Sequence, residues 1–249
     1  MIAPPFDAWI ACHEPRPAPR LRLFCFPYAG GNAAIFRTWP RSLPDDIEVC
    51  PIQLPGRGTR LREPPINDLS ILAKVLAQVL RPLFDLPFAF FGHSLGGLII
   101  FELARELRRS HSNIQPVQLV VSGTRAPQRA HRERAIHNLP RAEFIAELRR
   151  LKGTPDEILE NLELMEIMLP VLRADFALYE SYTYAVEAPL GYPIAVFGGL
   201  DDPRVEYADL EAWGDQTTAP LTPKMIHGGH FFLNTAPSLF LQALAKELQ

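Results

Sequence analysis

Short runs of apolar and β-branched residues alternate along this chain with longer stretches whose apolar positions recur every three to four residues. The runs are Leu21 to Phe26, Ile47 to Leu54, Phe88 to Phe91, Val117 to Ser122 and Pro193 to Phe197. Each has the length of a strand buried on both faces. Helical spacing is clearest at Leu69, Leu72, Val75, Leu76, Val79, Leu80 and Leu83, with Asp68 placed to cap the start and Pro82 in the last turn to end it. A second helical pattern starts at Leu98-Ile99-Ile100-Phe101, a short helix is expected from Ile35 to Trp39, and a last one from Leu239 to Leu248. Pro27 to Gly31 and Pro55 to Gly58 read as turns. Strands alternating with helices predict an α/β fold, with a mostly parallel central sheet covered by helices on both faces.

The alternation fails between Ser122 and Pro193, where helical patterns occur without a convincing strand. Arg141 to Leu151 suits a helix. Thr154-Pro155-Asp156-Glu157 is a start signal, with Thr154 as the cap, Pro155 at the first position and Glu157 three after Thr154. A longer pattern runs through Leu164, Ile167, Met168, Val171, Leu172 and Phe176. Inserted helices of this kind form lids over sites, so a helical lid insertion is expected at approximately 125–189. Basic residues outnumber acidic ones from Arg125 to Lys152, counting Arg132 and Glu133, and acidic ones dominate from Asp156 to Glu187. Two readings fit: solvated helix faces that offset one another, or a docking patch for an acidic partner.

Composition narrows the function classes. A chain of 249 residues with 47% hydrophobic content can bury a substantial core, and the alternation favours a single α/β domain over 1–249. The formal net charge of -3, with no lysine-rich tail, argues against nucleic-acid binding. Cys12, Cys25 and Cys50 are odd in number and lack C-x-x-C spacing, which speaks against a disulfide framework or a zinc cluster and for a reducing cytoplasm. Met1 to Asp7 has no basic n-region, and no apolar run approaches the ~20 residues that span a bilayer, so a cytoplasmic protein without membrane insertion is expected. No coiled-coil repeat argues against a monomer.

The chemistry is concentrated at Gly92-His93-Ser94-Leu95-Gly96. A buried run ending in G-x-S-x-G and followed by a helix is a nucleophile elbow, in which a sharp turn lifts a serine hydroxyl above the sheet and the helix N-terminus favours developing negative charge. Ser94 is the candidate nucleophile; an idle serine in a tight turn is the alternative. A serine needs a base and a carboxylate to orient that base, in the chain order Ser, Asp or Glu, His. Gly198-Gly199-Leu200-Asp201-Asp202-Pro203-Arg204-Val205 offers two aspartates at a strand's carboxyl end. The spacing from Gly199 to Val205 favours Asp202, leaving Asp201 as a loop or capping carboxylate. Of His227 and His230, His230 is preferred. His93 reads as elbow packing, and His13, His111, His131 and His137 as surface residues. An oxyanion needs two donors: the backbone N–H of Leu95, and one from the glycine-rich loop after the first strand, where Ala29 is the natural position unless that loop is a plain strand-ending turn.

Phe26-Pro27-Tyr28-Ala29-Gly30-Gly31, Gln53-Leu54-Pro55-Gly56-Arg57, Phe91 to Gly97 and Gly228-Gly229-His230-Phe231-Phe232, in this order, resemble the type II thioesterases that accompany nonribosomal peptide and polyketide synthases. The helical region containing Leu169 to Asp175 is similar as well. The resemblance implies an α/β-hydrolase fold and a stand-alone editing enzyme. Such an enzyme hydrolyses aberrant or stalled acyl groups from the phosphopantetheine thiol of acyl or peptidyl carrier proteins. By position it puts the triad on Ser94, Asp202 and His230 and the oxyanion donors on Ala29 and Leu95, with no cofactor and no metal. The chain departs from the pattern at Gly199 to Asp202, where the family more often has an acidic residue directly after the glycine, so a contribution from Asp201 stays open. Thioester hydrolysis through an acyl-Ser94 intermediate is the leading expectation. A general carboxylesterase or lipase acting on free esters is the alternative enzyme, and a hydrolase-fold protein that only binds a ligand is the alternative outside catalysis.

Overall fold

The strands form one sheet whose order explains where a site can lie. A computed structural model describes residues 8–111, 113–129 and 134–249; the expectations for Met1 to Asp7 and for His131, Arg132 and Glu133 lie outside the described residues. The strands are β1 (Leu21–Phe26), β2 (Ile47–Pro51), β3 (Phe88–His93), β4 (Gln118–Ser122), β5 (Ile194–Gly199) and β6 (Lys224–Ile226). They pair in parallel in the order β2-β1-β3-β4-β5-β6. The chain goes outward from β1 to β2, then returns past β1 to β3. The direction of winding therefore reverses between β1 and β3, and at such a reversal the loops leaving the two carboxyl ends diverge and open a crevice.

The helices are α1 (Leu69–Val79), α2 (Leu95–Ser110), α3 (Arg141–Leu151), α4 (Asp156–Glu160), α5 (Leu162–Glu180), α6 (Tyr207–Glu211), α7 (Phe232–Thr235) and α8 (Pro237–Glu247). Alternate strand residues point to opposite faces. Phe24, Phe26, Phe90, Leu119, Val121 and Val196 pack with Leu72 and Leu76 of α1 and Leu98 and Ile99 of α2. Leu23, Cys25, Phe91, Val120 and Phe197 pack on the other side with Phe240, Leu241 and Leu244 of α8 and with Trp39. Both faces are covered, as the alternating pattern predicts. Between β4 and β5, α3, α4 and α5 enclose an apolar cluster of their own around Phe144, Leu148, Met165 and Leu172.

Several boundaries differ from the sequence expectation for identifiable reasons. The short helix expected at Ile35 to Trp39 is two 3₁₀ turns, Ala33–Phe36 and Trp39–Arg41; Pro40 has no N–H with which to continue an α-helical ladder. β2 ends at Pro51 rather than Leu54, because Ile52 bridges to Ile10 and the Gln53 N–H bonds the Trp9 carbonyl. α1 ends at Val79, and Pro82 lies in a separate 3₁₀ turn, Arg81–Leu83, rather than in the helix's last turn. Asp68 caps α1 as expected, its carboxylate accepting from the Ile71 N–H at 2.9 Å. α4 begins one residue later than its start signal implied: Pro155, extended at ψ 144, is the cap in place of Thr154. Arg149 pairs with Asp156, Arg150 with Glu147 and Arg141 with Glu166. Those charges of the polarised segment therefore offset one another. Among the described residues, no helix is long and apolar enough to cross a membrane.

Candidate active site

Ser94 follows β3 directly and stands as the residue before α2, with φ 53 and ψ -118. A non-glycine residue held at positive φ is strained, and here several contacts enforce it. The Ser94 N–H bonds the Ser122 carbonyl at 2.8 Å, and its carbonyl accepts from Thr124 Oγ1 at 2.8 Å. Room for the turn comes from its flanking glycines: a Cβ on Gly92 would lie 2.2 Å from the Gly96 carbonyl oxygen, and one on Gly96 2.3 Å from that of Phe26. A serine before a helix ordinarily turns its hydroxyl back to cap the first N–H groups. Ser94 makes no such bond, so its hydroxyl is left for another partner.

That partner is His230, whose Nε2 lies 3.1 Å from Ser94 Oγ. The other ring nitrogen, Nδ1, is 2.8 Å from Asp202 Oδ2. The Asp202 carboxylate is fully buried, and its second oxygen accepts from the Arg204 N–H at 2.9 Å. These three side chains come from the loops at the carboxyl ends of β3, β5 and β6, so the parallel sheet brings together residues far apart in sequence. Asp201 and His227 are exposed and lie outside this hydrogen-bonded series. His93 is buried beneath it, its Nδ1 2.9 Å from Ser122 Oγ and its ring 5.3 Å from that of His230. Burial, with the nearby His230 adding to it, pushes the His93 imidazole well below the usual histidine pKa, so it stays neutral.

Leu95 is the first residue of α2, where a helix has no internal acceptor for its N–H. Ala29 lies in the turn after β1 that the Gly31 N–H closes on the Tyr28 carbonyl at 2.8 Å. Ser94, His230 and Ala29 share one pocket with Leu148, Leu151, Leu172, Phe176 and Phe231. Residues of α3 and α5 thus line the cavity with apolar side chains, and Arg125, Arg134 and Glu180 are among its polar lining. Burial in apolar surroundings raises the Cys25 thiol well above its usual range and Cys50 to about 12. Both stay protonated and neither lines this pocket.

One feature of the site escaped the sequence reading. The Asp175 carboxylate, on α5, is fully buried against the Arg57 guanidinium, with Nη1 to Oδ2 at 2.6 Å and Nη2 to Oδ1 at 2.7 Å, and it also accepts from the Gly30 N–H at 2.7 Å. The signal was present: Asp175 stands three residues after Leu172 and four after Val171, on the apolar stripe itself. A charge in such a stripe has to find a buried partner.

A family model described as "Thioesterase domain" matches residues 21–248. The gramicidin S biosynthesis protein GrsT of Aneurinibacillus migulanus is 45% identical over 98% of this chain and 94% of its own length. Thioesterase PikA5 of Streptomyces venezuelae is 37% identical over 91% of this chain and 80% of its own. The structure of the type II thioesterase BorB from the borrelidin biosynthetic cluster superposes with a TM-score of 0.88 at 35% identity, covering 98% of each chain.

Proposed function

Because this chain belongs to the thioesterase domain family, we propose that it is a serine thioesterase of a nonribosomal peptide or polyketide pathway. In this role it removes aberrant or stalled acyl groups from the phosphopantetheine thiol of acyl or peptidyl carrier proteins. The reading rests on the hydrogen-bonded series from Asp202 through His230 to Ser94, whose serine and histidine share a pocket with the apolar side chains of Leu148, Leu151, Leu172 and Phe176. His230 Nε2 takes the proton from Ser94 Oγ as that oxygen attacks the thioester carbonyl, and Asp202 holds the ring through Nδ1–H and stabilises the imidazolium. The tetrahedral oxyanion is bound by the N–H groups of Leu95 and Ala29. The C–S bond then breaks, the sulfur leaves with the proton from His230, and the acyl group stays on Ser94. Water, deprotonated by His230, attacks the acyl-Ser94 ester, and collapse of the second intermediate releases a carboxylic acid and restores the serine. A thiol ionises near pH ~8.5 and is a better leaving group than an alcohol, so this machinery suffices without a metal.

The same reading makes the chain a single α/β-hydrolase domain in which the region 125–189, containing α3, α4 and α5, is a lid over the acyl pocket. The biosynthetic names of its relatives support a cytoplasmic site of action. Intact-protein mass spectrometry of carrier domains loaded with different acyl groups tests the proposal. Incubation with the enzyme is expected to return the free phosphopantetheine mass, and Ser94→Ala to slow this by ~10⁴ or more. Faster hydrolysis of the same acyl group from p-nitrophenol than from the carrier would point instead to a general esterase. Undiminished hydrolysis by Ser94→Ala would overturn the nucleophile.

A further inference from the structure

The loop that carries Ala29 is held from the α5 side by a buried charge pair. We propose that Asp175, backed by Arg57, is a positioning residue for the oxyanion site: its carboxylate fixes the Gly30 peptide and thereby aims the adjoining Ala29 N–H at the acyl oxygen. This rests on the reading of Ser94 as nucleophile and Ala29 as donor. Gly30 N–H to Asp175 Oδ2 is 2.7 Å, a charge-assisted bond. Arg57 Nη1 lies 3.3 Å from the Gly31 carbonyl, so the Ala29–Gly30 and Gly31–Asn32 peptide groups are tied to the same ion pair. Gly30 itself has φ +76, and a Cβ there would sit 2.6 Å from Leu172 Cδ2, so α5 presses on the turn with an apolar side chain as well as the carboxylate. Arg57 is in turn held by its own loop: its carbonyl accepts from Gln53 Nε2 at 2.9 Å, and Gln53 Oε1 accepts from the Ala33 N–H at 3.3 Å. The network thus grips the β1 loop within its turn, at Gly30–Gly31, and just after it, at Ala33.

The charges explain why both partners are needed. A bare carboxylate one peptide away from a developing oxyanion would repel it; the bidentate guanidinium cancels that charge while leaving the carboxylate free to accept from Gly30. A buried ion pair is weak as a source of stability, since apolar residues of similar volume often replace one at no loss. Its place in this molecule, on the loop that must present a donor, therefore points to geometry. It also makes the second half of α5 a fixed wall of the site.

The test uses Asp175→Asn and the double variant Arg57→Met/Asp175→Leu, which removes the Gly30 acceptor without orphaning a buried charge. Sites are first titrated to completion with a fluorophosphonate, so that misfolded protein is not counted. For an acyl-carrier thioester, kcat per titrated site is expected to fall about 10- to 100-fold with KM within about twofold, because losing one oxyanion donor outright costs ~10²–10³. Affinity for an alkyl boronic acid, which forms a tetrahedral adduct with the serine, should fall by the same factor. Affinity for a non-hydrolysable thioether analogue of the substrate should not change. Unchanged kcat per titrated site in both variants overturns the proposal, as does equal weakening of boronate and thioether, which marks a general distortion of the pocket. If Asp175→Asn yields no folded protein, the double variant decides alone. Ser94→Ala is run alongside: continued hydrolysis by it defeats the serine reading and this proposal together, whereas an inert Ser94→Ala with fully active Asp175 variants defeats only the positioning role.

Discussion

His93 adjoins the proposed nucleophile, yet its side chain points under the elbow rather than into the pocket. It is fully buried, its Nδ1 bonded to Ser122 Oγ, and burial holds its pKa well below the ordinary value of about 6.5. As pH falls through about 6.5 the unfolded chain takes up a proton that the folded chain refuses. Stability is therefore complete above that value and declines below it, by up to about 1.4 kcal/mol per pH unit from this group. Asn retains an amide that can bond Ser122 but cannot be protonated, so His93→Asn is expected to flatten the acid limb of a stability-versus-pH curve. Urea unfolding at intervals from pH 5 to pH 8 measures this; an acid limb of unchanged slope would show that other groups carry it.

Helix α2 does more than support Ser94 at its first turn. Near its other end, Arg105, Arg108 and Arg109 converge on Glu187, in the segment that leads from α5 toward β5, at 2.5, 2.7 and 3.1 Å. Arg105 also donates to the Ala185 carbonyl at 2.6 Å. Burial alone would raise the Glu187 pKa, but the hydrogen bonds from Arg105 and Arg108 outweigh it and hold the carboxyl at about 2. A folded pKa below the ordinary ~4.3 means that its contribution is complete above that value and is lost as pH falls toward 2. Glu187→Gln should therefore unfold more easily at pH 7, by about 1–3 kcal/mol for a charged hydrogen-bond network. The gap from the parent should narrow as the pH is lowered from 5 to 3. A gap independent of pH in urea titrations would assign the loss to packing instead.

Across the whole molecule, order is greatest where strands are covered on both faces and bonded on both edges. β1, β3, β4 and β5 meet both conditions, with β3 and β5 buried throughout, whereas α4 is five residues long and mostly exposed. Hydrogen exchange followed by mass spectrometry should find the amides of β1, β3, β4 and β5 opening only with global unfolding, and those of α3 and α4 exchanging first. Equal protection of α4 and β3 would contradict this. The sequence by itself determined five of the six strands, missing the three-residue β6, together with most helices and the residue types of the site, because these depend on local spacing: period-two or unbroken apolar runs, period-3.6 stripes, and glycines flanking a serine. It determined Asp68 as a cap for the same reason, since a cap bonds three residues away. The extent of β2 and the start of α4 needed coordinates, because Ile52 and Gln53 are claimed by Trp9 and Ile10 and because Pro155 is extended. The pairing of His230 with Asp202 rather than Asp201 was settled only when the β5 and β6 loops met in space. The tertiary structure alone decided that Asp175 meets Arg57 and Gly30: hydrogen bonds between groups over a hundred residues apart depend on how elements pack, and no spacing along the chain records that.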